Sequence, residues 1–157
     1  MESTINNIDL IIKLALALFL GMCLGIERVV AGKIAGMRTY GLVTMGSALF
    51  TIVGVIAAGG YESSVALRES IRLTSQIIPG IGFVGAGLII FNGARVSGVT
   101  TAAGIWVAAG VGAATGYGLY LLAIVTTIFA LITFTILWYV EDRLKIFIRS
   151  DIAVREE

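Results

Sequence analysis

The hydrophobic positions of this sequence fall into long runs that short charged segments separate. The stretch 96–140 contains no charged side chain, and it is about twice as long as the ~20 apolar residues needed to cross a bilayer. Two earlier apolar runs, 39–61 and 73–94, are each long enough for one crossing. Because backbone polar groups cannot stay unpaired in hydrocarbon, we expect these runs to form helices. The pattern therefore predicts a chain that is solvated by lipid.

Division of the sequence at its charges and turns predicts an all-α integral membrane protein. We expect a bundle of about five transmembrane helices, with a transmembrane domain at 1–142 and a short charged cytoplasmic tail at 143–157. The longest run is divided at 115–118, where glycines tolerate the backbone angles of a tight turn. The expected spans are 8–26, 39–60, 76–92, 99–114 and 119–140.

The third span is the least regular of the five. Pro79 has no backbone N–H to donate, and the glycines that follow it weaken a helix. We therefore expect this span to be broken or short. Transporters bind substrates at such breaks, but a break is equally tolerated where neighbouring helices pair with the freed backbone groups.

Composition supports a lipid-solvated chain and excludes several kinds of chemistry. Hydrophobic residues make up 58% and charged residues 13% of the 157 residues, against about 25% charged residues in soluble domains. With no histidine and one cysteine, the common zinc ligand sets and a Cys–His nucleophile pair cannot form. No carboxylate lies near the middle of a span, so no metal site and no cofactor are expected. Nucleic-acid binding has no support, because acidic residues offset the basic residues of the tail.

The distribution of lysine and arginine predicts the orientation in the membrane. With five spans, the segment after span one, the short loop at Arg95 and the tail share one side and hold most of the basic residues. Because basic residues concentrate on the cytoplasmic side, we expect the N-terminus outside and the C-terminus in the cytoplasm. Trp138 and Tyr139 would then lie at the inner membrane interface.

Small residues recur at intervals of three and four along the second span. They are Gly41, Thr44, Ser47, Thr51, Gly54 and Ala58. Residues at this spacing share one helix face and allow two helix backbones to approach closely. We favour packing within the chain as their role. A subunit contact and a polar path lined by the hydroxyls are the alternatives.

Two charged clusters are candidate functional groups. The first contains Glu27, Arg28, Lys33 and Arg38. Glu27 and Arg38 flank the entrance to the second span, where partial loss of water favours their pairing. A simpler role for this cluster is to anchor the inner face and attract anionic lipid.

The second cluster leads into the third span. On a helix, Arg68, Arg72 and Gln76 stack at intervals of four residues, and Glu69 reaches Arg72. An amphipathic helix at the membrane interface explains most of this cluster. It does not explain Gln76, because polar groups at membrane depth are usually paired and often functional. The residues expected to face lipid are Val65, Leu67 and Ile71.

Several motifs together resemble the MgtC/SapB family of membrane proteins. The first runs from Gly21 through Glu27-Arg28, and the second covers 33–39. The later motifs are Arg72-Leu-Thr-Ser-Gln76, the glycine-rich segment 80–87, and Gly98-Val-Thr-Thr-Ala-Ala103 followed by Trp106. The resemblance implies a multi-pass protein of the bacterial inner membrane, in a family associated with magnesium-limited growth and intracellular survival. Glu69 and Pro79 depart from the family pattern, which more often has aspartate and a small polar residue there.

The resemblance also implies which residues carry function. The polar residues are Glu27, Arg28, Lys33, Arg38, Arg72, Gln76, Thr100 and Thr101. The glycines are Gly21, Gly25, Gly36, Gly80, Gly82, Gly85, Gly87 and Gly98. Some family members carry a soluble C-terminal domain, and its functions do not transfer to this chain.

Two functions fit these observations. The first is a non-enzymatic regulatory protein that acts through helix contacts with another copy or another membrane protein, under magnesium limitation or acid stress. The second is a small oligomeric transporter or channel for an ion or small polar solute, with its site near 79–87 and the Thr100–Thr101 pair. We do not expect an enzyme, because Glu27 is the only carboxylate beside a basic motif of the family and acid–base catalysis needs a pair.

Overall fold

The computed structural model of the chain describes residues 7–60, 63–140 and 143, and these residues form a helical bundle. A short hairpin of two strands interrupts the helices. The elements are α1 (Asn7–Val30), α2 (Met37–Ala57), α3 (Ser64–Ser75), α4 (Ile77–Ala86), β1 (Ile90–Asn92), β2 (Arg95–Ser97), α5 (Val99–Gly116) and α6 (Tyr120–Ile132), and the π-helical turn Thr133–Leu137 follows α6.

Four helices in the described part of the chain are long and apolar enough to cross a membrane. They are α1, α2, α5 and the helix Tyr120–Val140, which contains α6. The prediction of an all-α integral membrane protein is confirmed. Helix α4 has 10 residues, so it rises about 15 Å, roughly half of the ~30 Å hydrocarbon core. The third segment is therefore both broken and short.

The break between α3 and α4 follows from the single proline. The ring of Pro79 clashes with the carbonyl four residues earlier, at Ser75, and its nitrogen cannot donate to that carbonyl. Helix α3 ends at Ser75 and α4 begins at Ile77, with Gln76 in the turn between them. The N–H of Gln76 donates to the Leu73 carbonyl over 3.2 Å, which keeps the two helices nearly continuous.

A hairpin follows the short third segment. Within 76–92, which the sequence predicts to be broken or short, helix α4 ends at Ala86 and the last residues form β1. Asn92 lies opposite Arg95 in the hairpin, and Gly93 begins the two-residue turn with φ +60°. Glycine at the first central position favours such a hairpin turn, because glycine adopts positive φ without strain.

Glycines bring α1, α2 and α5 into direct backbone contact. A Cβ atom at Gly112 of α5 would overlap the carbonyl of Thr44 and lie 2.8 Å from the Ser47 Cβ. A Cβ at Gly21 of α1 would overlap the Thr44 hydroxyl from the other side. The small residues of α2 therefore pack within the chain, as the sequence analysis favoured.

The hydroxyls of α2 bond to their own helix. Thr44 Oγ1 donates to the Tyr40 carbonyl over 2.7 Å, and Thr51 Oγ1 donates to the Ser47 carbonyl over 2.8 Å. Bonds of this kind satisfy a hydroxyl without a partner on another helix. These threonines do not line a polar path.

Replacement of Gly112 by alanine is expected to destabilise the bundle. The added Cβ meets α2 backbone, which cannot rotate away as a side chain can. Overpacking of a core costs about 1–3 kcal/mol. Gly112→Ala should lower the thermal unfolding midpoint in mild detergent, measured by the loss of monodisperse protein.

Gly110→Ala on the same helix is the matched control. No atom lies within 4 Å of a Cβ at Gly110, and alanine is a better helix former by about 1 kcal/mol. Its unfolding midpoint should equal or exceed that of the unmodified protein. Equal losses in the two variants would contradict the close packing of α5 on α2.

Candidate functional site

The described residues contain one buried charged residue, Arg28, in the last turn of α1. Arg28 is 2% exposed and forms an ion pair with Glu27, its neighbour in sequence. The guanidinium carbon lies over the Phe134 ring, 3.8 Å from the ring centroid. Phe134 belongs to the π-helical turn after α6. The contact therefore connects the end of α1 to the segment that follows α6.

Tyr40 lies next to this ion pair and is 0% exposed. Its hydroxyl donates to the carbonyl of Thr101 in α5 over 3.3 Å. Gly104 makes room for both rings: a Cβ there would overlap the Tyr40 hydroxyl and lie 2.7 Å from Cζ of Phe134. Side chains from α1, α2, α5 and the π-helical turn therefore meet at Arg28, and we call this group the Arg28 cluster.

The Arg28 cluster stabilises a charge that would otherwise be costly to bury. Desolvation of an ion costs several kcal/mol, and a close ion pair offsets this cost only with further favourable contacts. Here the aromatic face of Phe134 supplies a cation–π contact, worth about 2 kcal/mol where water is excluded. The side chains fill the space around the guanidinium, so the cluster holds the helices together.

The loop after α1 separates the other basic residues from the Arg28 cluster. The N–H of Lys33 donates to the Arg28 carbonyl over 2.9 Å, and Gly32, at φ +65°, closes the helix end. Lys33 and Arg38 are exposed and line a surface pocket of about 420 Å³. The expected pairing of Glu27 with Arg38 is therefore wrong. The Glu27 carboxylate pairs instead with the adjacent Arg28, which is buried.

Helix α3 arranges the second charged cluster as its spacing predicted. Arg72 Nε donates to Glu69 Oε2 over 2.9 Å. This hydrogen bond lowers the pKa of the Glu69 carboxyl below its ordinary value, and α3 lies outside the four membrane-crossing helices. Glu69 therefore stays ionised, and paired with Arg72, under mildly acidic conditions. Gln76 follows one turn later and is exposed.

Three hydroxyls fasten α3 to the rest of the bundle. The Tyr117 hydroxyl donates to Thr74 Oγ1 over 2.8 Å, and Ser70 Oγ lies 3.4 Å from the same hydroxyl. Tyr117 lies in the turn between α5 and α6. The charged face of α3 therefore keeps a fixed position relative to the membrane-crossing helices.

The remaining predicted polar residues lie in the first turn of α5. Thr100 is exposed and Thr101 is buried, so only Thr101 joins the Arg28 cluster, through its backbone carbonyl. Gly98 precedes this turn, and a Cβ there would overlap the Leu88 carbonyl. The two threonines of this pair therefore have different surroundings.

The predicted glycines have different roles. Gly21 and Gly25 lie against α2, and Gly85 lies against Ala102, where a Cβ would be 3.6 Å from the Ala102 Cβ. Gly36 faces Val29 across the loop, and Gly87 faces the carbonyl of Val84. No atom lies within 4 Å of a Cβ at Gly80 or at Gly82, and these two glycines lie on roughly opposite faces of α4 because they are two residues apart.

The predicted residues form separate groups at the two ends of α2. At its start, Gly25 of α1 lies against Met37. Near its end, a Cβ at Gly54 would lie 3.4 Å from the Cβ of Leu73 in α3. Glu27 and Arg28 are therefore at one end of the bundle, and Arg72 and Gln76 are near the other.

The short helix α4 leaves a groove on each of its sides. The α2–α4 groove has a volume of about 710 Å³ and is lined by α2, the end of α3, and α4. The α4–α6 groove has a volume of about 520 Å³ and is lined by α3, α4, α5 and α6, with Trp106 and Gly110 on its wall. Both grooves are almost wholly apolar.

Within residues 7–60, 63–140 and 143, no group of three or more His, Cys, Asp or Glu side chains could hold a metal ion. Of the expected tail at 143–157, residues 144–157 lie outside the described residues.

Sequence reasoning missed three members of the Arg28 cluster: Tyr40, Phe134 and Gly104. An aromatic residue inside an apolar run is predicted to be an ordinary core residue. Whether it contacts a charged side chain depends on which helices pack together in the fold. The spacing of Gly104 and Gly112 on one face of α5 was the available signal, since it marks the side that packs closely.

The fold and the Arg28 cluster define a multi-helix integral membrane protein whose helices pack through glycines. The model of the MgtC family matches residues 14–143, and the chain belongs to this family.

Similar proteins support this assignment. "Protein SapB" of Bacillus subtilis is 39% identical over 94% of this chain and 65% of its own length. "Putative magnesium transporter YhiD" of Escherichia coli K12 is 39% identical over 87% of this chain and 64% of its own length. "Protein MgtC" of Brucella abortus is 40% identical over 74% of this chain and 46% of its own length. The chain thus spans about two thirds of SapB and YhiD, and no solved structure matches it.

Loss of the Arg28 guanidinium is expected to destabilise the protein. Arg28→Ala leaves the Glu27 carboxylate without its partner and opens a cavity under Phe134, and breaking a buried pair costs about 3–5 kcal/mol. We expect a large fall in the thermal unfolding midpoint of the purified protein in detergent.

Lys33→Ala provides the control, because it removes an exposed charge five positions along the same segment. Its midpoint should stay close to that of the unmodified protein. The double variant Glu27→Gln with Arg28→Met removes both charges and should recover much of the lost stability. No recovery in the double variant would show that the Arg28 cluster is not held together as described.

Proposed function

We propose that this MgtC family member is a non-enzymatic protein of the bacterial inner membrane that modulates other membrane proteins. Its setting would be adaptation to magnesium limitation or acid stress, including intracellular survival. The N-terminus would lie outside and the C-terminus in the cytoplasm, as the lysine and arginine distribution predicts.

The observation that carries this proposal is the closed contact between α1, α2 and α5. At Gly21 and Gly112 these helices approach until no side chain fits between them. A solute path through this part of the bundle would need space that the backbones occupy. A regulatory role needs no such path, and it needs instead a membrane-facing surface that another helix can recognise.

The α4–α6 groove is such a surface. Gly110 has open space above it, and Trp106 and Leu122 form exposed apolar walls. Small residues between larger ones allow a second helix to approach closely in lipid. A transmembrane helix of another copy or of another protein would fit there.

The name of one relative supports the magnesium-linked setting. The Escherichia coli relative is described as a putative magnesium transporter, and this chain covers 64% of it. The same name also supports a second candidate function, which is a small oligomeric transporter or channel. The observation that favours transport is the helix break at Pro79, beside Gln76 and near Arg72, because transporters use such breaks to bind substrates.

Crosslinking in native membranes tests the regulatory proposal. A photoreactive residue at Leu122, in the α4–α6 groove, should form adducts with another protein or a second copy. The same residue at Phe19, which is exposed on α1 away from both grooves, should form far fewer. Gly110→Leu fills the groove and should reduce the Leu122 adducts.

Reconstitution into proteoliposomes separates the two functions. A protein that gives no adducts at Leu122, yet moves Mg²⁺ or another small solute with a rate that Gln76→Ala abolishes, would overturn the regulatory proposal. Adducts at Leu122 without flux would remove the transport candidate.

A further inference from the structure

We propose that the α2–α4 groove binds one phospholipid molecule, with an acyl chain in the groove and the phosphate beside α3. This site is separate from the α4–α6 groove that the proposed function uses. Its occupancy does not depend on whether the protein regulates a partner.

The shape of the α2–α4 groove suits an acyl chain. Its walls are aliphatic and aromatic side chains such as Leu42, Phe50 and Val84. Gly46 and Gly80 also line the groove and deepen it, because they have no side chain. No atom lies within 4 Å of a Cβ at either glycine. The volume of about 710 Å³ falls within the ~300–1,000 Å³ of typical ligand clefts.

A polar row leads from the membrane surface into the groove. Arg68, Arg72 and Gln76 are four residues apart along α3 and its end, so they share one helix face. Gln76 is the member of this row that lines the groove, and no described residue forms a hydrogen bond with its side chain. An amide without a partner is costly at membrane depth. The ester carbonyls of a phospholipid accept hydrogen bonds, and they lie between the phosphate and the acyl chain.

The charge at the outer end of this row complements one phosphodiester. The guanidinium of Arg72 is paired with Glu69, whereas no described residue pairs with Arg68. The row therefore carries one surplus positive charge, which matches the single negative charge of a phosphodiester. Guanidinium groups bind phosphate oxygens with paired hydrogen bonds.

The order of the three groups matches the order within a phospholipid. Arg68 corresponds to the phosphate, Gln76 to the ester, and the apolar walls to the acyl chain. The exposed side chains of Val65 and Ile71 place α3 at the membrane interface, where a headgroup lies. A transmembrane helix would satisfy its own backbone groups and offer no anion to Arg68, so we favour the phospholipid as the occupant.

Native mass spectrometry of the protein in mild detergent tests this site. The unmodified protein should carry one phosphatidylglycerol molecule that survives detergent exchange, and it should rebind one after delipidation and addition of dioleoylphosphatidylglycerol. Gly80→Ile fills the groove and should abolish the bound lipid. Gly82→Ile is the matched control, because it lies on the same helix with open space around it but outside the groove, and it should bind lipid normally.

Two variants that leave the packing intact test the polar row. Arg68→Ala should weaken rebinding about tenfold or more, because it removes the charge-assisted hydrogen bonds to the phosphate. Glu69→Gln frees the second guanidinium and should tighten rebinding. Each variant is first checked for an unchanged unfolding midpoint, so that the loss of lipid reports the site and not the fold.

The proposal is overturned if Gly80→Ile retains its lipid as Gly82→Ile does, or if Arg68→Ala and Glu69→Gln bind as the unmodified protein does. It is also overturned if a photoreactive residue at Gly46 crosslinks to a protein helix and not to lipid. Adducts at Leu122 are scored separately, so the lipid site can fail while the regulatory function holds.

Discussion

The close approach of helix backbones at glycine is the constraint on which this structure depends. Lipid does not drive apolar helices together, so helices in a bilayer associate through packing and hydrogen bonds. Gly21 and Gly112 bring α1 and α5 against the same turn of α2, around Thr44. The contact works because the threonine hydroxyl bonds to its own helix and presents a small, satisfied surface. Close packing of the helices therefore stabilises the bundle, and burial of apolar surface away from water contributes little.

The buried charge depends on that packing. Gly104 leaves room for Tyr40 and Phe134, and Phe134 covers the guanidinium of Arg28. If α5 lay further from α2, water or lipid would reach the ion pair and the cation–π contact would weaken. An ion pair between neighbouring residues at the end of α1 thus becomes a tertiary contact, which joins α1 to the π-helical turn after α6.

Much of the fold could be predicted from the sequence, because the length of an apolar run reports directly on its environment. The small face of α2 and the break caused by Pro79 follow from local rules, and both were expected. The hairpin was not, because Ile90 and Phe91 of β1 continue the hydrophobic pattern of α4 and Gly93 alone marks the turn. The pairing of Glu27 with Arg28 was also missed. Which charge turns inward is decided by a partner on a distant helix, here Phe134, and no local pattern encodes that.

The short length of α4 has a consequence for the bilayer around it. A helix that rises only about 15 Å cannot match a hydrocarbon layer of ~30 Å, and a mismatch is accommodated by thinning of the adjoining lipid or by tilt. The helices on either side of α4 are full length, so the misfit is confined to one sector of the perimeter. The bilayer beside α4 would therefore have to thin, or α4 to tilt, and longer acyl chains would raise the elastic cost in this sector.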